Sequence, residues 1–448
     1  VAPRTRRRFP HAIEELEIEG YKSLGRRKVI AFRPLTLVAG VNSSGKSSMM
    51  QPLLLLKQTV DAQYDPGPLQ LDGPNVSVTS IEQVLSKALP ESARSRGFSV
   101  AVTTADAVTK VRFSKNSAGQ LRVAEYSGYF LPGQTEAVAI REGLSHSRLE
   151  ELIEPLLQDA GLSELYRQPG ARMSVVRDRF TLAPAVEYQQ GPRTVTMSLG
   201  LSGRGDISDI ASRIIHLPAL RGNPLRTYRA AAVDLRYPGR FDTYTAGIVS
   251  YWQNNKQKGE LQQLRKDVEE LGLTWKVEAR QLDDTQVELL VGRLPQARRG
   301  GARDLVNIAD VGFGVSQTLP VVVALLAATP GQLVYLEQPE IHLHPRAQVR
   351  FAGLVRRAVA RGVRVVIETH SSLFLRAVQT LVARGVLEPD DVAMHWFTRD
   401  GDTGETRIST ADLRSDGSFG DWPEDFDDVY LESESAYLDA AMERAAAE

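Results

Sequence analysis

Eight consecutive residues carry the densest chemistry in this sequence: Gly40-Val41-Asn42-Ser43-Ser44-Gly45-Lys46-Ser47, followed by Ser48. Two glycines five apart, then lysine and a hydroxyl, is the pattern of a loop that wraps a phosphate chain. Glycine lets successive backbone N–H groups turn toward an anion. A helix starting behind the loop adds positive potential. A lysine here suits β- and γ-phosphates, and the next hydroxyl suits Mg²⁺. Gly40, Asn42, Ser43, Ser44, Gly45, Lys46, Ser47 and Ser48 are therefore the candidate ATP-binding residues, with Ser47 also a metal ligand.

Three later segments carry matching chemistry. Leu333-Val334-Tyr335-Leu336 is an apolar run that ends in Glu337-Gln338-Pro339-Glu340 and continues Ile341-His342-Leu343-His344-Pro345. An apolar strand ending in acid is how a nucleotide-bound Mg²⁺ is held and the attacking water oriented. Glu337 is the expected metal ligand, and Glu337, Gln338 and Glu340 are candidate catalytic residues. Val363 to Ile367 is a second apolar run, followed by Glu368-Thr369-His370-Ser371. A histidine at the end of a parallel strand points into the ligand crevice of such sheets, so His370 is a candidate γ-phosphate sensor. Asp310-Val311-Gly312-Phe313-Gly314-Val315-Ser316-Gln317 leads into an apolar helix. Its Gly312 and Gly314 permit close backbone approach, and Ser316 lies near the helix start, another phosphate-binding construction.

Positioning these groups requires an α/β core. Ile13 to Ile18 alternates apolar and acidic residues, as a half-exposed strand does. Leu35 to Ala39 is continuously apolar and stops at Gly40, as a strand buried on both faces does. Ser47 to Val60 reads as a helix with Pro52 as a kink. Phe351, Leu354, Val355, Ala358 and Val359 share one helical face, and Gly362 stands at its C-cap. Strand–helix–strand order implies parallel pairing. Between the two halves, residues 98–130 read as a β-meander, and residues 145–168 and 253–272 as helical. Asn254 to Glu270 is strongly charged and is expected to form an exposed helical arm. Gln296 to Arg303 reads as a flexible basic loop.

The chain has 448 residues and no cysteine, which excludes disulfides, thiolate catalysis and Cys-ligated metal sites. The longest apolar stretch, Leu319 to Ala328, is about half of what a bilayer requires. With no apolar run behind the arginines of residues 4–8, no targeting segment and a cytoplasmic location are expected. Net charge is −1, but residues 401–448 carry −11 and residues 1–400 carry +10. A basic body of this kind makes a nucleic-acid partner plausible. The tail is read as a solvated C-terminus or as a mimic of nucleic acid; its Asp425-Phe426-Asp427-Asp428 string has no apolar strand before it and reads as solvated acid.

In this order the four motifs resemble ABC-type P-loop ATPases of the SMC/RecF/OLD group. They are most similar to bacterial AAA-family ATPases found in antiphage systems, some resembling Septu-type ATPase–nuclease pairs. His216-Leu217-Pro218-Ala219-Leu220-Arg221-Gly222-Asn223-Pro224-Leu225-Arg226-Thr227-Tyr228 resembles an internal motif of that family. Asp391-Val392-Ala393-Met394 and Gly420-Asp421-Trp422-Pro423 resemble its C-terminal block. The resemblance implies an ABC-type head split in sequence, with a β-meander and a mixed, partly helical insertion. The N-terminal lobe is expected over 12–130, an inserted region over 131–300 that returns to the core near 216–228, the C-terminal lobe over 301–398, and an acidic tail over 399–448. It implies ATP and Mg²⁺, and a homodimer or higher homo-oligomer in which Gly312, Gly314 and Ser316 of one copy close over Lys46 of the other. It also implies a separate effector protein, such as a nuclease, because no room remains for a Toprim nuclease domain after His370. Gln70 and Gln83 are the residues available for the family's glutamine loop. One departure matters: Gln338 stands where the broader ABC pattern has a general-base glutamate. An amide orients water but accepts no proton, so slow turnover is expected, with Glu340 available as the replacement carboxylate. The function implied is an ATPase switch of a defence or DNA-processing complex. The alternatives are an ATP-stabilised scaffold with little turnover and a RecF-like DNA-repair clamp.

Overall fold

The computed structural model describes residues 9, 11–88, 96–129, 136–159, 170–190, 193–198, 206–230, 236–296, 304–420, 435–439, 442 and 444. The arginines of residues 4–8, nearly all of the 296–303 loop, residues 421–423 of the C-terminal block and the 425–428 string lie outside the described residues. Among the described residues, no helix is long and apolar enough to cross a membrane.

The chain opens with β1 (Ile13–Glu19), β2 (Lys28–Ala31), β3 (Leu35–Gly40) and α1 (Lys46–Asp61). The β-meander follows as β4 (Gly97–Thr104), β5 (Val108–Lys115), β6 (Leu121–Gly128) and β7 (Val138–Ile140). Next come α2 (His146–Asp159), β8 (Arg172–Asp178), β9 (Thr181–Gln190), β10 (Arg193–Ser198), α3 (Ile207–Ser212), β11 (Ile215–Leu217) and β12 (Tyr228–Arg229). Two helices, α4 (Thr245–Asn254) and α5 (Lys258–Glu270), precede β13 (Val277–Gln281), β14 (Gln286–Gly292) and β15 (Leu305–Asn307). The last section is α6 (Phe313–Ala327), β16 (Leu333–Glu337), α7 (Pro345–Ala360), β17 (Arg364–Glu368), α8 (Ser372–Ala383), β18 (Val392–Arg399) and β19 (Thr406–Ala411).

One six-stranded sheet runs in the order β11-β16-β17-β3-β18-β19. Its first five strands pair in parallel, and β19 closes the edge antiparallel. Strands from five separate stretches of sequence therefore end side by side at one edge. Alternation splits their side chains between two cores. Leu35, Leu37, Val334, Leu336, Val365 and Ile367 enter a core shared with α4, α6, α7 and α8. Val38, Tyr335 and Val366 enter a second core shared with α1 and the antiparallel sheet β2-β1-β4-β5-β6-β7. Both faces are buried, which is why these strands read as unbroken apolar runs. Helix α1 is wedged between the sheets: Met49, Leu53, Leu54, Leu55 and Leu56 are all buried, each leucine worth about 1.5–3 kcal/mol.

Two expectations are corrected. Helix α5 is no exposed arm. Its Leu264 and Val268 are buried in the first core, and Asp267 is clamped by Arg357 of α7 at 2.6 Å. Lys258, Glu260, Arg265 and Lys266 are exposed, while Leu264, Val268 and the clamped Asp267 face inward, so overall charge does not say which face is buried. Nor does the body end at residue 398. Strand β19 pairs with β18 from Met394↔Ala411 to Arg399↔Thr406, and a Leu413–Phe419 bridge extends beyond it. The helix expected over 145–168 is described as α2 up to Asp159.

Candidate functional site

The phosphate-type loop joins β3 to α1, and its geometry demands its residues. Gly40 pairs with Phe397 of β18. It has φ +136°, and a Cβ there would lie 2.1 Å from the Phe397 carbonyl oxygen. Gly45 has φ +104°, and its Cβ would meet Thr406 Oγ1 at 2.2 Å. Ser43 also adopts a left-handed conformation, φ +60°. Thr406 buttresses the loop: its hydroxyl donates to the Ser44 carbonyl at 2.8 Å and lies 2.7 Å from Ser23 Oγ. No side chain caps α1, and no acid lies in its first turn. Its N-terminal N–H groups are therefore available to an anion. Lys46 is buried and donates to the carbonyls of Gly40 (3.0 Å) and Val41 (2.8 Å). Burial pushes its pKa down, opposed by the charge of Glu368. The Ser44 hydroxyl is buried without a hydrogen-bond partner.

The acidic strand ends supply the other half. Glu337 and Glu368 are register partners on β16 and β17, and both alternate to the α1 side with Tyr335 and Val366. The Ser47 hydroxyl meets both oxygens of Glu368, at 3.2 and 3.0 Å. The Tyr335 hydroxyl donates to Glu368 Oε2 at 3.1 Å. Burial and the neighbouring Glu337 charge raise the Glu368 pKa, against the Ser47 bond and the Lys46 charge.

Glu337 behaves oppositely. Burial would raise its pKa, but His216 and the Ala219 N–H outweigh it and the net shift is downward. His216 Nε2 lies 3.1 Å from Glu337 Oε1, and Ala219 N–H donates to Oε2 at 3.2 Å. The imidazole is 1% exposed, stacks on Tyr335 with centroids 5.3 Å apart, and touches Asn75 Oδ1 at 3.0 Å through Nδ1.

Gln338 has φ +42°, uncommon for a residue with a side chain. Its N–H donates to the Glu368 carbonyl at 2.7 Å, tying the turn to β17. Glu340 is buried; its Oε1 accepts from Thr369 Oγ1 and the His370 N–H, both at 2.8 Å, and Oε2 has no partner. Burial raises the Glu340 pKa. His370 is exposed at the end of β17, and partial desolvation together with the Lys46 charge lowers its pKa.

The glycine-rich segment starts α6. Gly312 is the N-cap and is exposed, as is Phe313. Gly314 packs near the His342 carbonyl, where a Cβ would lie 3.4 Å away. Ser316 is buried, with its hydroxyl unpartnered. Among the described residues, no hydrogen bond joins this segment to the phosphate-type loop of the same chain. Arg221 connects it to the acidic strand instead: Nη1 donates to the Gln317 carbonyl (2.9 Å) and Nη2 to the Glu337 carbonyl (3.2 Å). Burial pushes the Arg221 pKa down to about 10.

The structure thus brings together Lys46, Ser47, Glu337, Gln338, Glu340 and His370. It leaves Gln70 and Gln83 elsewhere: Gln70 donates to Asp72, and Gln83 is exposed and bonds Thr79. From that part of the chain it is Asn75 that reaches the site. Four participants were missed as site residues: Glu368, His216, Arg221 and Thr406. His216 and Arg221 lay inside a segment already singled out, and Glu368 inside the switch-like run.

Among the described residues, no group of three or more His, Asp or Glu is arranged to hold a metal by itself. Mg²⁺ at such sites is held by one or two carboxylates or hydroxyls plus substrate phosphates. Ser47 facing a carboxylate, beside an uncapped helix start, fits that requirement.

Residues 222–376 match the family model described as an AAA domain, putative AbiEii toxin, Type IV TA system. That segment contains the glycine-rich start of α6, the acidic end of β16 and the Glu368–His370 end of β17. Its strands β16 and β17 lie in the same sheet as β3, which leads into the glycine-rich loop at residues 40–47. Among curated proteins none matches the chain. Among solved structures, the chain is similar to an SMC head bound to the C-winged helix domain of ScpA (TM-score 0.47, 12% identity, covering 90% of this chain and 98% of that one). It is also similar to the SMC head domain from Thermotoga maritima (0.40, 13%, 89% and 98%). A third is an Smc head domain with an extended coiled coil bound to the C-terminal domain of ScpA, derived from Pyrococcus furiosus (0.45, 12%, 90% and 96%).

Proposed function

We propose that this chain is an ATP-driven switch with slow hydrolysis. The observation that carries the reading is the convergence of Lys46, Ser47, Glu337, Glu368 and His370 at one edge of one parallel sheet. Lys46 and the N–H groups of residues 43–48 hold the phosphates of ATP. Ser47 and a strand-end carboxylate hold Mg²⁺, which neutralises charge developing on the phosphates. His370 stands where it can sense the terminal phosphate. Gln338, in its turn at φ +42°, orients water but accepts no proton, so turnover stays slow.

Two copies pair around the nucleotide, with Gly312, Gly314 and Ser316 of one closing over Lys46 of the other. Exposed apolar side chains flank the motifs and support a mating surface: Val41, Phe313 and Ile341, each about half exposed. Ser316 is buried, so the backbone of residues 312–314 makes the closest approach. The switch reports to a separate effector, such as a nuclease, in a bacterial defence or DNA-processing system. The motif resemblance supports that placement. The basic body supports nucleic acid as a trigger. A second reading, a nucleotide-stabilised scaffold with little turnover, is favoured by the amide at Gln338 alone.

Sedimentation with and without ATP and Mg²⁺ tests the switch. The wild-type chain is expected to shift from monomer to dimer with ATP, and Lys46→Ala to remain monomeric. An oligomeric state indifferent to nucleotide contradicts it.

A further inference from the structure

The acidic strand suggests that Glu337 takes the metal. The geometry points to a different assignment: we propose that Glu368 is the carboxylate that faces Ser47 and the nucleotide's divalent cation, and that the 216–221 segment is a clasp holding Glu337 back as its partner. This deepens the nucleotide-binding reading above and rests on it.

Three observations converge. The P-loop hydroxyl and one acidic side chain share the cation in nucleotide sites of this kind, and the carboxylate in contact with Ser47 Oγ is Glu368, through both oxygens. The sheet order explains why. Strand β17 lies directly beside β3, with Glu368 level with Val38, whereas β16 is one strand further away. At a strand spacing of about 4.8 Å, Glu337 starts roughly twice as far from the loop strand as Glu368 does. Finally, Glu337 is committed elsewhere. His216 and the Ala219 N–H each take one of its oxygens, and Arg221 holds its carbonyl. The His216 ring cannot swing toward another partner, because Tyr335 stacks on its face and Asn75 holds Nδ1. His216 and Arg221 are thus positioning residues, and Tyr335 links the pair by donating to Glu368.

The test is the gain in ATP affinity conferred by Mg²⁺, measured with a fluorescent ATP analogue in Mg²⁺ and in EDTA. Glu368→Gln keeps the shape and the acceptor for Ser47. It is expected to lose about 10- to 100-fold of that gain while its affinity in EDTA stays at the wild-type level. Glu337→Gln is expected to keep most of the gain. The reverse pattern, or full gain in Glu368→Gln, overturns the assignment. Should Glu368→Gln fail to fold, Glu368→Asp carries the same test: withdrawing the carboxylate by one methylene should cut the gain, and an undiminished gain overturns the assignment. A wild-type chain that binds no nucleotide in either buffer overturns the nucleotide reading itself, and the assignment with it. A metal gain that survives Glu368→Gln overturns only the assignment.

Discussion

The two halves of the site are built in opposite ways. The phosphate loop is local: Gly40 to Ser47 are contiguous, and their backbone conformation makes the cradle. The acidic half is assembled from residues near 75, 216, 337 and 368, each useless without the sheet order that brings strand ends together. The loop is held by backbone geometry and one hydroxyl strut from Thr406. The acidic half is held by two chains of buried and half-buried polar side chains, Asn75–His216–Glu337 and Tyr335–Glu368–Ser47. A local cradle is lost all at once when its backbone is blocked. A distributed network loses function by degrees.

The sharpest way to break that contrast is Gly45→Ala. The added Cβ collides with Thr406 Oγ1 at a backbone angle of φ +104°, a strain of about 1–3 kcal/mol before any collision is counted. Nucleotide affinity is expected to fall below detection in an equilibrium titration. Near-wild-type affinity would show that the loop is not rigidly set. A smaller effect is expected from His216→Ala. It frees Glu337 and leaves it buried with one fewer partner, costing about 1–3 kcal/mol of stability. Thermal melting should register the loss, and ATP turnover should fall about tenfold with ATP affinity nearly unchanged. If affinity collapses as in Gly45→Ala, the acidic half is not separable from the loop.

The same contrast governs what was legible in the sequence. The loop, its strand Leu35–Gly40 and helix Lys46–Asp61 were readable because all the information lies within about 25 residues. The apolar runs at 333–336 and 363–367 were readable as buried strands for the same reason. Glu368 carried no local sign of its role, since its importance follows only from β17 lying between β16 and β3. His216 and Arg221 were visible as part of a distinctive segment, but their partners lie about 100 residues or more away. Thr406 was absorbed into an acidic tail because composition there outweighs one buried threonine. Helix α5 was misplaced for a related reason: net charge says how polar a helix is, not which face is apolar.

Together these halves are proposed to form an ATP-hydrolysing site. Phosphate release from ATP by the purified chain with Mg²⁺ tests it most directly, with Lys46→Ala as the control. The prediction is slow release, below about 1 s⁻¹, at the low end of ordinary turnover, and abolished in Lys46→Ala. Release that is equal in both proteins, or absent from the wild type with and without DNA, would contradict it.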